Sequence, residues 1–217
     1  MACRKIDMTQ YPRREHFAYF CSLAYPYVGV TQNVDVTEFS SFCKAHGISF
    51  YLAFLHAAAL AADSIPALRQ RIQDGGIVEY DECPTSHIEL LPDETYCYCT
   101  LLHHMPFDAY LACAEAERCR CRERASIEED SDAQSLYFIS TLPWLHYTAL
   151  LQPVAGGSDS NPRITWGRFE TDAHGRRQMP VTLLAHHALV DGIHIARFYQ
   201  RLEEQLASLA QSNVSAS

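Results

Sequence analysis

Hydrophobic residues recur along the chain at two spacings, and each spacing predicts a different kind of element. Residues 49–62 are apolar on most faces, which predicts a helix at the centre of the core. Residues 105–124 are predicted to form an amphipathic helix whose polar side carries Glu115, Glu117, Arg118 and Arg122. After residue 195, apolar positions return every three or four residues, so a third helix is expected there. Two shorter helices are also predicted. One covers residues 11–23 and has Pro12 in its first turn. The other follows Thr37, its N-cap, and ends at about residue 45.

Short runs of β-branched and aromatic residues predict the strands. Gly75-Gly76 lies between two apolar runs and predicts a hairpin turn. Pro143 is expected to interrupt the strand that contains it. Strands interleaved with helices in this way predict an α/β or α+β fold with a mixed sheet. The predicted strands cover residues 25–36, 87–102 (as one or two strands), 137–144, 163–170 and 180–185.

The stretch between the last predicted strand and the last predicted helix contains the pair His186-His187, followed by Asp191-Gly192. Histidine can accept and return a proton near neutral pH, and the end of a buried strand is a rigid place to hold it. We therefore predict that His187 is a catalytic base. Asp191 could orient its imidazole or pair with an arginine to brace the loop, and the sequence leaves both open. Gly192 is expected to allow a tight turn with positive φ.

Two other interpretations of this stretch remain possible. The histidines could be half-buried structural residues, or His187, Asp191 and His194 could share a helical face and bind a metal. The metal interpretation lacks the HExxH pattern and places Gly192 inside the required helix. Elsewhere, His56 is interpreted as a core histidine rather than a ligand.

Composition and charge narrow the class of protein and its partners. The 217 residues, 48% hydrophobic and 20% charged, fit a single domain over 1–217. A formal net charge of −9 argues against nucleic acid and acidic membranes as partners. The first residues lack a secretory signal and no apolar run could span a bilayer, so a cytoplasmic location is expected. The acidic run at 128–132 lacks EF-hand spacing and is predicted to be a solvated loop.

The spacing of the nine cysteines indicates whether the protein is found in a reducing or an oxidising compartment. Two pairs are separated by a single residue, and none forms a CxxC motif, so neither a zinc ribbon nor a thioredoxin motif is present. We predict that these are free, buried thiols in a reducing compartment.

Four sequence blocks together resemble the type A chloramphenicol acetyltransferases. The segment HHALVDGIH over 186–194 is similar to the HHxxxDGxH signature of that family. The blocks RREHF, ETY and STLPW are similar to its other conserved segments, in the same order along the chain. These three blocks cover 13–17, 94–96 and 140–144. The resemblance implies a two-layer sandwich of helices on a large mixed sheet, the chloramphenicol acetyltransferase-like fold.

The resemblance also implies an activity, the transfer of acetyl from acetyl-CoA without a metal or covalent intermediate. His187 would be the general base, and Ser140 would donate a hydrogen bond to the tetrahedral oxyanion. Asp191 would form a buried ion pair with Arg13 that holds the catalytic loop. Breaking a buried pair of this kind costs about 3–5 kcal/mol.

Further roles follow from the resemblance alone. Thr165 would help to bind water or the acceptor, and Arg168 would lie near the CoA phosphates. The family assembles as homotrimers with active sites at subunit interfaces, so this chain is expected to do the same. The residues aligned with acceptor-pocket positions, several of which differ from the family pattern, are Tyr19, Phe20, Ala24, Tyr96, Tyr98, Phe138, Leu150 and Gln152.

The leading hypothesis is therefore an acetyl-CoA-dependent O-acetyltransferase that acts on chloramphenicol or a similar antibiotic alcohol. The differences in the aligned pocket keep another alcohol, or a dihydrolipoyl-type thiol, as an alternative acceptor. A non-catalytic trimeric protein that sequesters a hydrophobic ligand is an alternative from a different class.

Overall fold

A computed structural model describes residues 1–129 and 132–212. This part of the chain contains five α-helices and ten strands, which are interleaved along the sequence. Two short 3-10 helices, Pro66–Leu68 and Ala133–Ser135, lie in the connections. The α-helices are α1 (Arg14–Cys21), α2 (Thr37–Ala45), α3 (Phe50–Asp63), α4 (Phe107–Arg124) and α5 (Gly192–Ala210). The strands are β1 (Cys3–Lys5), β2 (Tyr27–Asp35), β3 (Gln70–Gln73), β4 (Gly76–Tyr80), β5 (Thr85–Leu90), β6 (Tyr96–Leu101), β7 (Tyr137–Leu142), β8 (Arg163–Gly167), β9 (Glu170–Thr171) and β10 (Arg177–His186).

Seven of the strands form one large sheet, with the order β2-β10-β8-β7-β5-β6 and with β9 paired to β10. Strands β5, β7 and β8 run parallel to one another, and the remaining pairs in this sheet are antiparallel. The predicted mixed sheet is therefore confirmed. A smaller antiparallel sheet has the order β1-β4-β3. The predicted hairpin joins β3 to β4, but its turn is Asp74-Gly75, and Gly76 is already the first residue of β4.

The helices cover one face of the large sheet. Strand side chains alternate between two faces, and the odd-numbered residues of β10, among them Val181 and Leu183, are buried with the core. Helix α3 lies at the centre of this layer against α5, α2 and α4, as its apolar sequence predicts. Its N-cap is Ser49, whose side chain accepts a hydrogen bond from the backbone N–H of Leu52. The opposite face of the sheet is more polar, and it carries the residues of the site described below.

Three element boundaries differ from the sequence prediction. The N-cap of α2 is Val36 rather than Thr37, because the Asp35 carboxylate accepts hydrogen bonds from both the backbone N–H and the hydroxyl of Thr37. The predicted strand over 163–170 is two strands, since the backbone N–H of Arg168 bonds to the Leu145 carbonyl at 2.7 Å instead of a neighbouring strand. The predicted strand or strands over 87–102 are the hairpin pair β5 and β6.

The last helix also differs from its prediction. Helix α5 begins at Gly192, directly after Asp191, and Gly192 has no positive φ. The glycine therefore begins the helix rather than forming the tight turn expected of it. No described helix has both the length and the apolar composition needed to cross a membrane.

The cysteines agree with the prediction in their oxidation state and differ in their exposure. All nine are free thiols. Five are buried, and four are exposed at positions 3, 21, 113 and 119. Burial raises the pKa of Cys83 to about 11, so this buried thiol stays protonated and unreactive at neutral pH.

Gly167, at the end of β8, is the position where a side chain would disturb the fold most directly. A Cβ there would overlap the Leu145 carbonyl oxygen and press on Tyr147 and Pro180. We expect Gly167→Ala to lower the free energy of unfolding by about 1–3 kcal/mol, since the obstruction is backbone that cannot rotate away. Gly157→Ala is the matched control, because nothing lies within 4 Å of its added Cβ. Urea unfolding would measure both, and equal stabilities would contradict the predicted overlap.

Candidate active site

The loop that follows β10 holds His187 in one orientation. Its backbone N–H donates to the Pro26 carbonyl at 2.7 Å, and its side-chain Nδ1 lies 2.9 Å from the Val190 carbonyl oxygen. A carbonyl can only accept, so Nδ1 carries the proton and Nε2 is left as a bare acceptor. Within residues 1–129 and 132–212, Nε2 has no hydrogen-bond partner. The half-buried imidazole therefore has the tautomer that a general base requires.

Helix α1 supplies the aromatic side chains beside His187. The Phe20 ring stacks on the imidazole, with centroids 3.8 Å apart and planes 13° from parallel, which restricts rotation of the ring. Tyr19 packs edge-on against Phe20 and is 61% exposed. Ala24 is exposed beyond the end of α1. Of the three acceptor residues predicted in this segment, Phe20 therefore contacts His187 directly and Tyr19 contacts Phe20.

Asp191 braces the loop and does not bind the imidazole. Its Oδ1 accepts a hydrogen bond from the Gly192 N–H at 2.6 Å, which caps α5 and lowers the pKa of the carboxyl group. Its own backbone N–H donates to His194 Nδ1 at 3.0 Å. The metal interpretation of His187, Asp191 and His194 has no support here, because these side chains take separate partners. The sequence left two roles open for Asp191, orienting the imidazole or bracing the loop. The contacts in the structure correspond to the bracing role.

Arg13 makes the stronger contacts to this loop. Its guanidinium donates to the Leu189 carbonyl at 2.7 Å and to the His187 carbonyl at 3.1 Å, and it approaches Asp191 Oδ2 at 3.6 Å. The predicted ion pair is present in this geometry, but the expectation that it is buried is wrong for this chain. The Asp191 side chain is 49% exposed, so solvent screens the pair and the cost assigned to a buried pair does not apply.

The residues aligned with the rest of the acceptor site line a pocket of about 630 Å³ on the sheet face away from the helices. We call it the sheet-face pocket. It brings together side chains from four strands and the loop after β7. The predicted residues that line it are Tyr96, Tyr98, Phe138, Ser140, Leu150, Gln152 and Thr165.

A polar row crosses the sheet at this pocket. Ser140, Thr165 and Thr182 are in register on β7, β8 and β10, and the Thr182 and Thr31 hydroxyls share a hydrogen bond of 2.7 Å. In the described part of the chain the half-buried Ser140 hydroxyl has no partner, so it is free to donate. Such a hydroxyl, fixed on a strand, is suited to bind a developing oxyanion.

Gln152 presents a second polar group in the pocket. Its side-chain amide N–H donates to the Thr165 hydroxyl, while its Oε1 is buried with no partner among the described residues. A buried acceptor without a partner carries a free-energy cost that a ligand can remove. A ligand that offers an O–H or N–H donor at this point is therefore favoured over one that does not.

Glu129 is a pocket residue that the sequence analysis missed. It was assigned to a solvated acidic loop over 128–132, of which residues 130 and 131 lie outside the described residues. Its Oε1 accepts from the Ser86 hydroxyl at 2.7 Å and its Oε2 lies 3.4 Å from the Thr100 hydroxyl, on the wall of the sheet-face pocket. Nothing in the local sequence separates Glu129 from its acidic neighbours, because its partners come from β5 and β6.

A second pocket, of about 580 Å³, opens at the carboxyl ends of β7 and β8. We call it the strand-end pocket. Arg168 lies on its wall and is 55% exposed at the side chain, with a 3.1 Å contact to Glu170. The predicted CoA-phosphate residue therefore lines this pocket. The pocket shares three residues with the sheet-face pocket, which are Ile88, Tyr96 and Ser140.

The strand-end pocket has a second cationic wall, formed by Arg118 and Arg122 of α4. Both guanidinium groups bind the Glu89 carboxylate through two nitrogens each, at 2.5–3.2 Å. Burial opposes ionisation of Glu89, but hydrogen bonds from His87 and the arginines outweigh it and lower its pKa to about 2. Arg118 also lies 3.5 Å from the Glu115 carboxylate, so the two guanidinium groups of this wall are held by two carboxylates. The four-residue spacing of the arginines on a predicted helix was the sequence signal for it.

The predicted site residues form two groups, one around His187 and one that lines the two pockets. These groups lie in different parts of the chain's surface. His187 is five residues beyond Thr182 on β10, or roughly 17 Å along the strand, and Ser140 lies two strands across, roughly 10 Å to the side. His187 does not line either of the two pockets. Within one chain, His187 and Ser140 therefore cannot act on the same reacting carbon.

We expect Arg13→Met to destabilise the fold more than Asp191→Asn. Loss of two charged hydrogen bonds to loop carbonyls should cost about 2 kcal/mol or more, whereas an asparagine in place of Asp191 retains the helix cap and loses only a screened charge, about 1 kcal/mol at most. The loss in Asp191→Asn should shrink as the pH falls through the lowered pKa of Asp191, where the wild-type carboxylate is also neutralised. Urea unfolding at pH 7 and pH 3 measures both effects. A larger loss for Asp191→Asn than for Arg13→Met would contradict this ranking.

Known proteins are similar in sequence to this chain over nearly its whole length. A chloramphenicol acetyltransferase from Klebsiella sp is 28% identical over 203 residues, covering 92% of this chain and 91% of the relative. One from Clostridium perfringens is 29% identical over 213 residues, covering 96% of this chain and all of the relative. A solved structure named chloramphenicol acetyltransferase superposes with a TM-score of 0.80 at 27% identity, covering 94% of this chain and all of the other.

More distant structures share the fold. A dihydrolipoamide acetyltransferase from Azotobacter vinelandii superposes with a TM-score of 0.71 at 17% identity, covering 90% of this chain and 87% of the other. At this identity the likeness concerns the fold alone. The sequence model of the family described as chloramphenicol acetyltransferase matches residues 1–203. This chain therefore belongs to the chloramphenicol acetyltransferase family of acyltransferases.

Proposed function

We propose that this protein transfers the acetyl group of acetyl-CoA to the hydroxyl of chloramphenicol or of a similar antibiotic alcohol. The observation that carries the proposal is the state of His187. Its Nδ1–H is committed to the Val190 carbonyl, its ring is stacked on Phe20, and its Nε2 is bare. That is the arrangement of a histidine poised to take a proton from a hydroxyl group.

The two pockets supply a path for each substrate. Three guanidinium groups line the strand-end pocket, those of Arg118, Arg122 and Arg168, and such groups suit it to the phosphates of CoA. The sheet-face pocket, which combines aromatic walls with hydrogen-bonding groups such as Ser140, Gln152 and Thr165, suits a compact alcohol. Because both pockets reach Ser140, a thioester from one and a hydroxyl from the other would meet at that side chain.

The chemistry then follows from the protein's own groups. Nε2 of His187 removes the proton as the acceptor oxygen attacks the thioester carbonyl, and the carbonyl oxygen becomes an oxyanion that the Ser140 hydroxyl stabilises. When the tetrahedral intermediate collapses, the carbon–sulfur bond breaks. The imidazolium then returns its proton to the CoA thiolate. Acetyl moves from sulfur to oxygen, and His187 is regenerated.

The distance between His187 and Ser140 supports an active site shared between subunits. A base roughly 20 Å from the oxyanion donor in its own chain must work with the Ser140 of another copy. Exposed apolar side chains surround both halves and would be covered by that contact. They include Tyr19, Tyr25 and Ile193 beside His187, and Leu151 and Tyr96 at the sheet-face pocket. We infer a closed homotrimer, in the cytoplasm, in which each His187 faces the next subunit's pockets.

The polar groups on the wall of the sheet-face pocket indicate which acceptors would fit. The unpaired Gln152 Oε1 favours a ligand that carries a hydroxyl or amide N–H, and chloramphenicol offers both. Tyr98 and Glu129 place further polar groups on the wall, which favour an alcohol over an apolar thiol. Another alcohol with a donor in the same place would fit this pattern equally.

We expect His187→Ala to lower acetyl transfer to chloramphenicol by about 10²–10⁴-fold, the usual contribution of a general base. Release of the CoA thiol with chloramphenicol as acceptor is the measurement. His174→Ala, at an exposed hairpin tip, is the control and should keep full activity. Undiminished turnover in His187→Ala would exclude the base assignment. Chloramphenicol binding without turnover in the wild type, surviving His187→Ala, would support a sequestering protein instead.

Co-expression of two inactive variants tests the shared site. His187→Ala and Ser140→Ala should each be nearly inactive as homotrimers. In mixed trimers, some interfaces pair an intact His187 from one subunit with an intact Ser140 from the next, so activity should return to about a tenth or more of the wild type. Mixing His187→Ala with inactive His187→Gln is the matched control, and it should recover nothing. If the first mixture also recovers nothing, the base and the oxyanion donor do not come from different chains.

A further inference from the structure

A second cluster of chemically capable side chains lies apart from both pockets. Asp63 is the last residue of α3, and His103 and His104 lie in the segment between β6 and α4. One donor atom from each of the three lies within 4.8 Å of the others. None of the three lines the sheet-face or strand-end pocket. We call these residues the Asp63 cluster.

The Asp63 carboxylate is oriented by contacts that do not involve the histidines. Its Oδ1 accepts a hydrogen bond from the Tyr137 hydroxyl at 2.8 Å and one from the backbone N–H of Cys83 at 3.2 Å. Its Oδ2 is thereby turned toward His103 Nε2 at 2.9 Å and His104 Nε2 at 2.7 Å. One carboxylate oxygen thus faces the same kind of nitrogen on two imidazoles.

We propose that the Asp63 cluster is a Zn²⁺ site, with Asp63 Oδ2, His103 Nε2 and His104 Nε2 as its ligands. Two imidazoles and one carboxylate are a donor set that suits zinc, whose bonds to nitrogen and oxygen are about 2.0–2.2 Å. Tetrahedral bonds of that length separate neighbouring donors by about 3.3 Å, so the histidines need to withdraw from Asp63 by only about half an ångström. The His104 side chain is 46% exposed and can make that movement.

The electrostatic surroundings also favour a cation. A carboxylate at the C-terminal end of a helix faces the negative end of the helix dipole, which a positive charge at Oδ2 would offset. The guanidinium groups of Arg69 and Arg71 lie near the cluster, but they bind the Asp63 backbone carbonyl, the Cys83 sulfur and other carbonyls rather than the carboxylate.

The surroundings also indicate how the site would be completed and what it would do. Glu82 Oε2 lies 4.0 Å from His104 Nε2, and either this oxygen or a water can supply a fourth ligand. The exposed edge of His104 gives the ion a route from solvent. Bound zinc would tie the end of α3 to the segment before α4, so its role is structural. The buried His103 Nδ1 has no partner among the described residues, and without such an outer hydrogen bond we expect micromolar rather than picomolar affinity.

The experiment uses the full chain without a histidine tag, freed of metal with a chelator and kept reduced. Zn²⁺ binding is measured by titration calorimetry and by the change in the unfolding temperature. Co²⁺ is used as a spectroscopic probe of the same site. We expect one Zn²⁺ per chain and a rise of about 5 °C or more at a hundredfold excess over Kd. His104→Ala and Asp63→Asn should weaken binding by at least about 100-fold and abolish the temperature rise. An asparagine in place of Asp63 can still accept the Tyr137 and Cys83 hydrogen bonds, which keeps the second variant folded.

His174→Ala is the matched control and should bind like the wild type. The Co²⁺ spectrum separates this site from the nine thiols, because nitrogen and oxygen ligands give visible bands without the ultraviolet charge-transfer band of a cobalt–thiolate bond. Wild-type protein that binds less than one Zn²⁺ per chain, or equal binding by His104→Ala, would overturn the proposal and leave a hydrogen-bonded His-Asp-His cluster. Acetyl transfer is not the readout, so this result is independent of the proposed function.

Discussion

The hydrogen bonding of β10 along both of its edges positions nearly every feature of the candidate site. Its register with β2 runs over nine residues, and its register with β8 places Thr182 beside Thr165 and, through it, in line with Ser140. Because side chains alternate along a strand, the same pairing that buries Val181 and Leu183 under the helices turns the threonines to the opposite face. A shift of one residue would bury the polar row and expose the core. The strand ends at His186, directly before His187, so its length fixes the distance between His187 and Ser140.

In the loop after β10, several groups together hold His187 in one orientation. The Val190 carbonyl selects the tautomer of His187, Phe20 restrains its ring, and Arg13 binds the loop through carbonyl oxygens. Asp191 adds the cap of α5 and a screened contact to Arg13. The strength of this arrangement lies in many backbone hydrogen bonds rather than in one buried ion pair. It leaves Nε2 of His187 as the one ring nitrogen of this residue without a partner in the described part of the chain.

Charge is organised differently around the two pockets. In the strand-end pocket, the Glu89 carboxylate binds both Arg118 and Arg122 and thereby fixes the two guanidinium groups. In the sheet-face pocket, Glu129 is held by hydroxyl groups, and Gln152 retains a buried acceptor. The arginine-lined strand-end pocket suits an anionic substrate of a kind that many enzymes use. The sheet-face pocket discriminates between neutral ligands by their hydrogen-bond donors, which is where members of one family can differ.

The sequence by itself determined the elements whose signals are local, such as the apolar helix α3, the amphipathic helix α4 and the alternating strands β5 and β6. The motif around His187 likewise indicated the family. The tertiary structure alone decided the partners of polar side chains. Arg13 and Leu189 are 176 residues apart, and Asp63 meets Tyr137 across 74 residues, so no local pattern contains either contact. A hydrogen bond needs its donor and acceptor atoms within about 2.5–3.2 Å and well aligned, so such partners are fixed only when the chain has folded.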